Sequence, residues 1–360
     1  MRLQNAIKNN AKTLVTYAVV TVMYIVMQIM ASGGMLSTSV KGYLVPICCY
    51  IVLAVSLNLV VGISGELSLG HAGFMGVGAF AAVVVSGALR GSVESETLRL
   101  ILAMVVGGIV AGIAGVIVGI PVLRLRGDYL AIVTLAFGEI LKNLVGNLYI
   151  GKDSTGLHVA MDPNGIHMDD TGVMLIKGPM GATGVQKIAT FGMGFALILF
   201  TLFIVLNLIN SKEGRAIKAI RDNRIAAESV GINVTAFKLK AFVVSAFLAG
   251  MAGALYGLNY SAVTAAKFGF TNSINILVFV VLGGMGNILG SVISATILYL
   301  LPELLRGLED LRMLLYAVVL IVVMLCTWSP KVKSALQVAK EAVKTKLASV
   351  LKKKEAGQNG

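Results

Sequence analysis

Of the 360 residues, 57% are hydrophobic and only 13% charged, and the mean hydropathy is +0.88. Soluble domains carry roughly 25% charged residues, so this balance excludes one and leaves a polytopic membrane protein. A net charge of +13 would suggest nucleic acid in a soluble chain; here the basic residues flank apolar runs, which topology explains and nucleic-acid binding does not.

Membrane-spanning helices need about 17–25 apolar residues each. The first run, 14–30, follows Arg2, Lys8 and Lys12 and ends in Ala31-Ser32-Gly33, an arrangement that imitates a secretory signal. Because many spans follow, an uncleaved first helix with a cytoplasmic start is expected. The second span is read at 43–61, with its apolar character stopping at Gly62, and the glycine-punctuated third at 67–89. The fourth is read at 100–120, ended by Pro121, and the fifth at 129–149. Cys48 and Cys49 lie side by side in the second span and Cys326 far away, so neither a disulfide framework nor a metal spacing is present.

A polar, glycine-containing loop over 150–190 precedes the sixth span, 191–209. It holds His158, Asp162, His167, Asp169 and Asp170 without regular ligand spacing, so a structured external surface is expected and a metal site is not. Next comes the one long charged run, 211–240. On a single helical wheel Ala216, Ala219, Ile220, Ala226, Ala227 and Val230 fall on one face and Arg215, Lys218, Arg221, Asp222 and Glu228 on the other; Asn223 and Arg224 could divide it into two short helices. Charge alone reads it as a basic loop; its amphipathic pattern adds an element that meets something outside the membrane. The seventh span follows at 241–260. Region 274–301 is too glycine-rich for one clean helix and predicts two shorter elements meeting near Asn287, and the last span is 313–328. These make about ten helices. With both ends and the 211–240 segment in the cytoplasm, twenty Lys and Arg lie inside and nine outside, the bias expected of that topology. The organisation is one transmembrane domain over 1–330 and a basic cytoplasmic tail over 331–360. That tail has eight lysines and helical apolar spacing, suited to an anionic membrane surface or to an ATPase contact.

Ionisable groups within spans mark a pathway or a structural pair. Gly62, Gly65 and Gly70 interrupt the second and third spans at NLVVGISGELSLGHAGFMGVGAF, beside Glu66, Ser68 and His71. These residues either line or gate a passage, or Glu66 sits at the membrane boundary while His71 bonds between helices. Glu139 and Lys142, one turn apart, suit a buried i, i+3 ion pair, with a pathway role for Glu139 as the other possibility.

Two runs resemble a known family. EGRAIKAIRDNRIAAESVGI (213–232) with KLKAFVVSAFLAGMAGALY (238–256), and the glycine-rich NLVVGISGELSLGHAGFMGVGAF (58–80), are similar to permeases of the branched-chain amino-acid (LivH/LivM) family of ABC importers, most clearly the LivM-type subunit. TLAFGEI, KGPMGATGV, VVLGGMGNILG and LPELLR extend the resemblance over about 46–330; 152–175 looks inserted, and Trp328-Ser329-Pro330-Lys331 departs from the usual ending. The resemblance implies an all-α, polytopic ABC-importer permease fold with some broken or short helices, in a bacterial cell membrane. It also implies a cytoplasmic coupling element at Glu213, Gly214, Arg215, Ala219, Arg221, Ala227 and Gly231. Gly65, Glu66, Ser68, Gly70, His71 and Glu139 become candidates for the pathway or gate. The expected partners are a second homologous permease, two ATPase subunits, an extracytoplasmic substrate-binding protein and the lipid bilayer.

No G-x-x-x-x-G-K-[ST] occurs, so ATP and Mg are expected on the partner subunits and no cofactor or catalytic residue in this chain. Branched-chain amino acids are the expected cargo; urea, short amides or another small solute, and an ion-coupled secondary transporter, are the competing readings.

Overall fold

The computed structural model describes residues 2–33, 38–125, 127–153, 156–162, 165–166, 168–169, 172–305, 311, 314–315 and 317–322. The tail from Lys331, and most of the span read at 313–328, lie outside the described residues. Met1–Leu300 form one compact unit, and the account below concerns it.

Eleven α-helices follow in order between residues 2 and 304: α1 (Arg2–Ser32), α2 (Thr38–Asn58), α3 (His71–Ala88), α4 (Glu96–Val122), α5 (Asp128–Gly146), α6 (Phe191–Asn210), α7 (Lys212–Asp222), α8 (Arg224–Ser229), α9 (Val234–Gly257), α10 (Phe270–Gly283) and α11 (Ile288–Leu304). Eight stretches of the described residues are long and apolar enough to cross a membrane, with a shorter ninth at Ile288–Glu303. The protein is therefore a polytopic helical membrane protein.

Helix α2 runs through the middle: 94% of its apolar window is buried, against 11% for α1 at the periphery. Around it, α3, α4 and α9 pack closely because their facing positions are glycine and alanine. A methyl group on Gly78 would lie 2.2 Å from the Gly250 carbonyl oxygen, and one on Gly253 would lie 1.9 Å from that of Met75. Lipid gives little hydrophobic drive between helices, so such backbone-to-backbone approach, with its many dispersion contacts, holds the bundle. The opposite face of α4 leaves Ile109, Ile113 and Ile117 exposed at helical spacing, a surface suited to acyl chains.

Several boundaries differ from the sequence expectation. The second span continues past Gly62 to Ser64, its last turn widened into a π-helix over Leu59–Ser64. The third span begins at His71 and not at residue 67, because 66–70 is irregular, with a bend at Leu69. The fifth ends at Gly146, where the chain leaves for the first strand. The interruption near Asn287 is present, falling between Gly283 and Ile288.

The 150–190 loop contains strands. β1 (Tyr149–Lys152) pairs antiparallel with β2 (Leu157–Ala160) and with β3 (Val173–Lys177), and a bulge at Ile150/Gly151 shifts the second register. β4 (Ala182–Thr183) pairs with β5 (Ala262–Val263), fastening the loop to the α9–α10 connection. Helix α6 starts after β4 and ends immediately before α7, so the sheet and the α7–α8 segment occupy opposite ends of the bundle.

Candidate functional site

The site is built where α2 comes apart. Six residues of π-helix, Leu59–Ser64, widen the last turn; Gly65 then ends it at φ +76°, a conformation that favours glycine. The next residues are non-helical, and their freed backbone groups find partners: Glu66 N–H donates to Val60 O (3.1 Å) and Leu69 N–H to Thr134 Oγ1 (3.1 Å).

His71 opens α3 in a buried position, with Nε2 2.9 Å from Ser56 Oγ. Ser56 Oγ also donates to Leu53 O (3.0 Å), so one hydroxyl bridges its own helix and the start of α3. Ser245 Oγ donates to Ser56 O (2.6 Å) and Ala72 N–H to Ser273 Oγ (3.1 Å), which ties α2, α3, α9 and α10 together at this depth. Ser68 is also buried, and its hydroxyl has no partner among the described residues.

Glu66 forms an ion pair with Lys238 of α9, the two side chains being 13% and 9% exposed. A pair this sequestered holds only because each charge answers the other. Glu139 pairs with Lys142 as the spacing predicts, but both remain partly exposed; Glu139 Oε1 also accepts from Phe270 N–H (2.8 Å), joining α5 to the start of α10.

The 211–240 segment is divided at Asn223. That residue is extended, ends α7 and caps α8 by accepting from Ala226 N–H (3.0 Å). Ser211 caps α7 through Gly214 N–H (3.1 Å), Gly231 turns the chain at φ +82°, and Asn233 caps α9 through Ala236 N–H (3.1 Å). Four caps or turns in about twenty residues fix a bent element whose halves are too short to be stable alone.

The break also corrects the single-wheel expectation. Gly214, Ile217 and Ile220 form the buried stripe of α7, and Ala227 packs with Ile220, Val234, Ile232 and Phe237; Ala219, Ala226 and Val230 are exposed instead of buried. A wheel drawn through Asn223 loses phase there, because the extended residue rotates α8 relative to α7. As a result Ile225 (80% exposed) and Val230 (74%) stand out from an otherwise polar segment.

Of the coupling candidates, Arg215, Ala219, Arg221 and Gly231 are exposed, Gly214 and Ala227 are buried, and Glu213 pairs with Lys240. Burial beside the end of α6, with Arg221 and Arg215 adding to it, pulls the Lys218 ammonium below its usual range, and Lys218 donates to Ile209 O (3.2 Å).

Arg221 joins the two halves of the site: its Nη1 donates to Gly62 O of the π-helix at 2.9 Å. Gly62 in turn lies against Asn58 and Gly286, where a Cβ would come within 1.8 Å of Asn58 Oδ1 and 2.2 Å of Gly286 N. Sequence reasoning missed Asn58, Lys238 and Ser291, whose signal was a polar residue inside an apolar run. Neither the apolar cleft of about 250 Å³ between α1, α2, α6 and α11 nor the polar pocket of about 440 Å³ beneath the sheet is lined by the pathway candidates.

Residues 39–324 match the family described as branched-chain amino acid transport system, permease component. The chain is 34% identical over 292 residues to the high-affinity branched-chain amino acid transport system permease protein LivM of Escherichia coli K12, covering 78% of this chain and 67% of that protein. The LivM of Salmonella typhimurium LT2 is 33% identical over the same coverage, and the LivH permease of E. coli K12 is 25% identical over 69% of this chain and 79% of its own length. No solved structure matches the chain.

Proposed function

This chain belongs to the family of branched-chain amino acid transport permeases, and on that premise we propose that it is the LivM-type subunit of an ATP-driven importer for leucine, isoleucine and valine. The observation that carries the reading is the α7–α8 segment: a capped, bent, polar element projecting from the apolar spans, with Ile225 and Val230 presented outward and Arg221 reaching back to the interrupted α2. Two exposed apolar side chains on a charged element suit a groove on a partner protein.

The ATPase subunits occupy that surface and supply ATP and Mg. A second homologous permease completes the passage, and a binding protein delivers substrate at the sheet end. The α7–α8 end and both termini then face the cytoplasm, in keeping with the distribution of Lys and Arg. Closure of the ATPases displaces α7–α8, and the displacement passes through Arg221 to the broken helices, where Gly65, Glu66, Ser68, Gly70 and His71 lie. The substrate combines a zwitterion with an apolar side chain, which a passage of glycine backbone, serine and threonine accommodates.

The test is uptake of labelled leucine, with urea in parallel, by proteoliposomes holding the co-purified complex, comparing the parent with Ile225→Asp/Val230→Asp. The parent should accumulate leucine only with internal ATP. The variant, whose changes touch exposed positions, should stay folded but release the ATPases and lose at least tenfold of its uptake. Undiminished uptake in the variant, or uptake driven by a proton gradient without ATP, would refute the reading; urea in place of leucine would overturn the substrate alone.

A further inference from the structure

Two interrupted regions, the end of α2 and the α10–α11 turn, meet at one side chain that belongs to none of the gate or coupling candidates. Asn58 is fully buried at the last residue of α2 before the π-turn. Its Oδ1 accepts from Gly286 N–H (2.7 Å), and its Nδ2 donates to Ser291 Oγ (2.8 Å) and Asn287 O (3.2 Å). A backbone donor on one side and a backbone acceptor on the other admit only one orientation of the amide, and no other small side chain supplies both an acceptor and two donors.

Asn58 thus takes the place of the missing helical backbone bonds at the α10–α11 break, and it holds that turn against α2. One turn along α2, Gly62 presents its carbonyl to Arg221 of α7 (2.9 Å), and the absence of a side chain on Gly62 lets Gly286 approach. A continuous chain of contacts therefore runs from α7, through the Arg221 side chain and the π-helix, to the α10–α11 turn.

We propose that Asn58 is the positioning residue that makes the α10–α11 turn move as one body with the α7–α8 segment, so that work done on the segment reaches both broken regions. This rests on the importer reading above. A group with only a packing role would weaken the protein as a whole. A positioning group sets how much transport each ATP drives.

The experiment measures leucine transported per ATP hydrolysed in proteoliposomes of the complete importer, for the parent, Asn58→Ala, Arg221→Met and the double variant. Asn58→Ala should keep ATP turnover within about twofold of the parent while the ratio falls at least tenfold. Because the two residues act in series, the double variant should lose no more than the more severe single change. Should Asn58→Ala not assemble, Ser291→Ala, which removes one of the three bonds, should lower the ratio about two- to threefold at unchanged ATP turnover. Proportional loss of uptake and ATP turnover, an unchanged ratio in Asn58→Ala or Ser291→Ala, or multiplicative losses in the double variant would overturn the proposal. Failure of the importer reading is distinguishable, because it would show in the parent as uptake without ATP.

Discussion

At the α7–α8 end, broken helices are joined by side chains: Asn58 to the α10–α11 turn, Arg221 to Gly62, Lys238 to Glu66. At the sheet end, segments are joined to one another by backbone ladders, β1 to β2 and β3, and β4 to β5, with Lys152 to Ala88 O and Arg99 to Gln186 as additional side-chain ties to the helices. A ladder is made by groups that every residue except proline carries, so it tolerates changes of side chain. A junction made of one amide or one ion pair does not. The difference locates where residue identity matters, and it places those residues where motion delivered from outside the bundle would have to be carried onward. The sheet end, fastened to its own chain, offers a surface that keeps its form.

Substitutions can break this contrast in order of severity. The largest effect is expected of Gly62→Val, whose Cβ would overlap Asn58 Oδ1 and the Gly286 amide at 1.8 and 2.2 Å. Backbone cannot yield as the end of a side chain does, so the cost goes well beyond the usual range of about 1–3 kcal/mol for overpacking and the native packing is not reached. Membranes should contain little intact protein, and leucine uptake should be absent. Gly42→Val, in the same helix with nothing within 4 Å of the added carbon, is the control and should be near the parent in amount and melting temperature. Equal yields of the two variants would show that the close approach at Gly62 does not constrain the fold.

Next comes Lys238→Met, which strands the Glu66 carboxylate where it is almost out of water. Removing one partner of a buried pair costs about 3–5 kcal/mol, so thermal inactivation should occur well below the parent. The double variant Lys238→Met/Glu66→Gln should recover most of the loss, since no charge is then left unanswered. If it is as labile as the single change, the pairing is not what holds α9 against the re-entrant segment.

Much of this arrangement was legible in the sequence, for reasons that differ by region. Apolar runs and charge bias gave the spans, because lipid thickness fixes helix length. Asn223 announced the division of the coupling segment, since it both stops and caps helices. The phase of α8 was not legible, because the extended backbone of Asn223 resets the wheel. The Glu66–Lys238 pair spans 172 positions, and no local pattern encodes it. The strands of the 150–190 loop were hidden by their length, two to five residues each. Asn58 carries no reading of its own in the sequence; only the arrival of Gly286 and Ser291 from the far end of the chain gives it a role.

The smallest effect should come from the sheet end. His158 Nε2 lies 2.8 Å from Asp153 Oδ2; the histidine side chain is 35% exposed and the carboxylate 2%, so one edge of the pair meets water while the charge itself does not. A glutamine at 158 still offers that carboxylate an amide N–H donor, so the buried group keeps a partner. Moreover Asp153 also accepts from Gly156 N–H (3.0 Å), and β1 is held on both sides by strand pairing, so the turn persists without the histidine. His158→Gln should therefore melt within about 2 °C of the parent and transport the same amount of leucine per ATP. A loss comparable to that of Lys238→Met would mean that this end too depends on single side-chain pairs. The two ends would then differ in their secondary structure and no longer in what holds them.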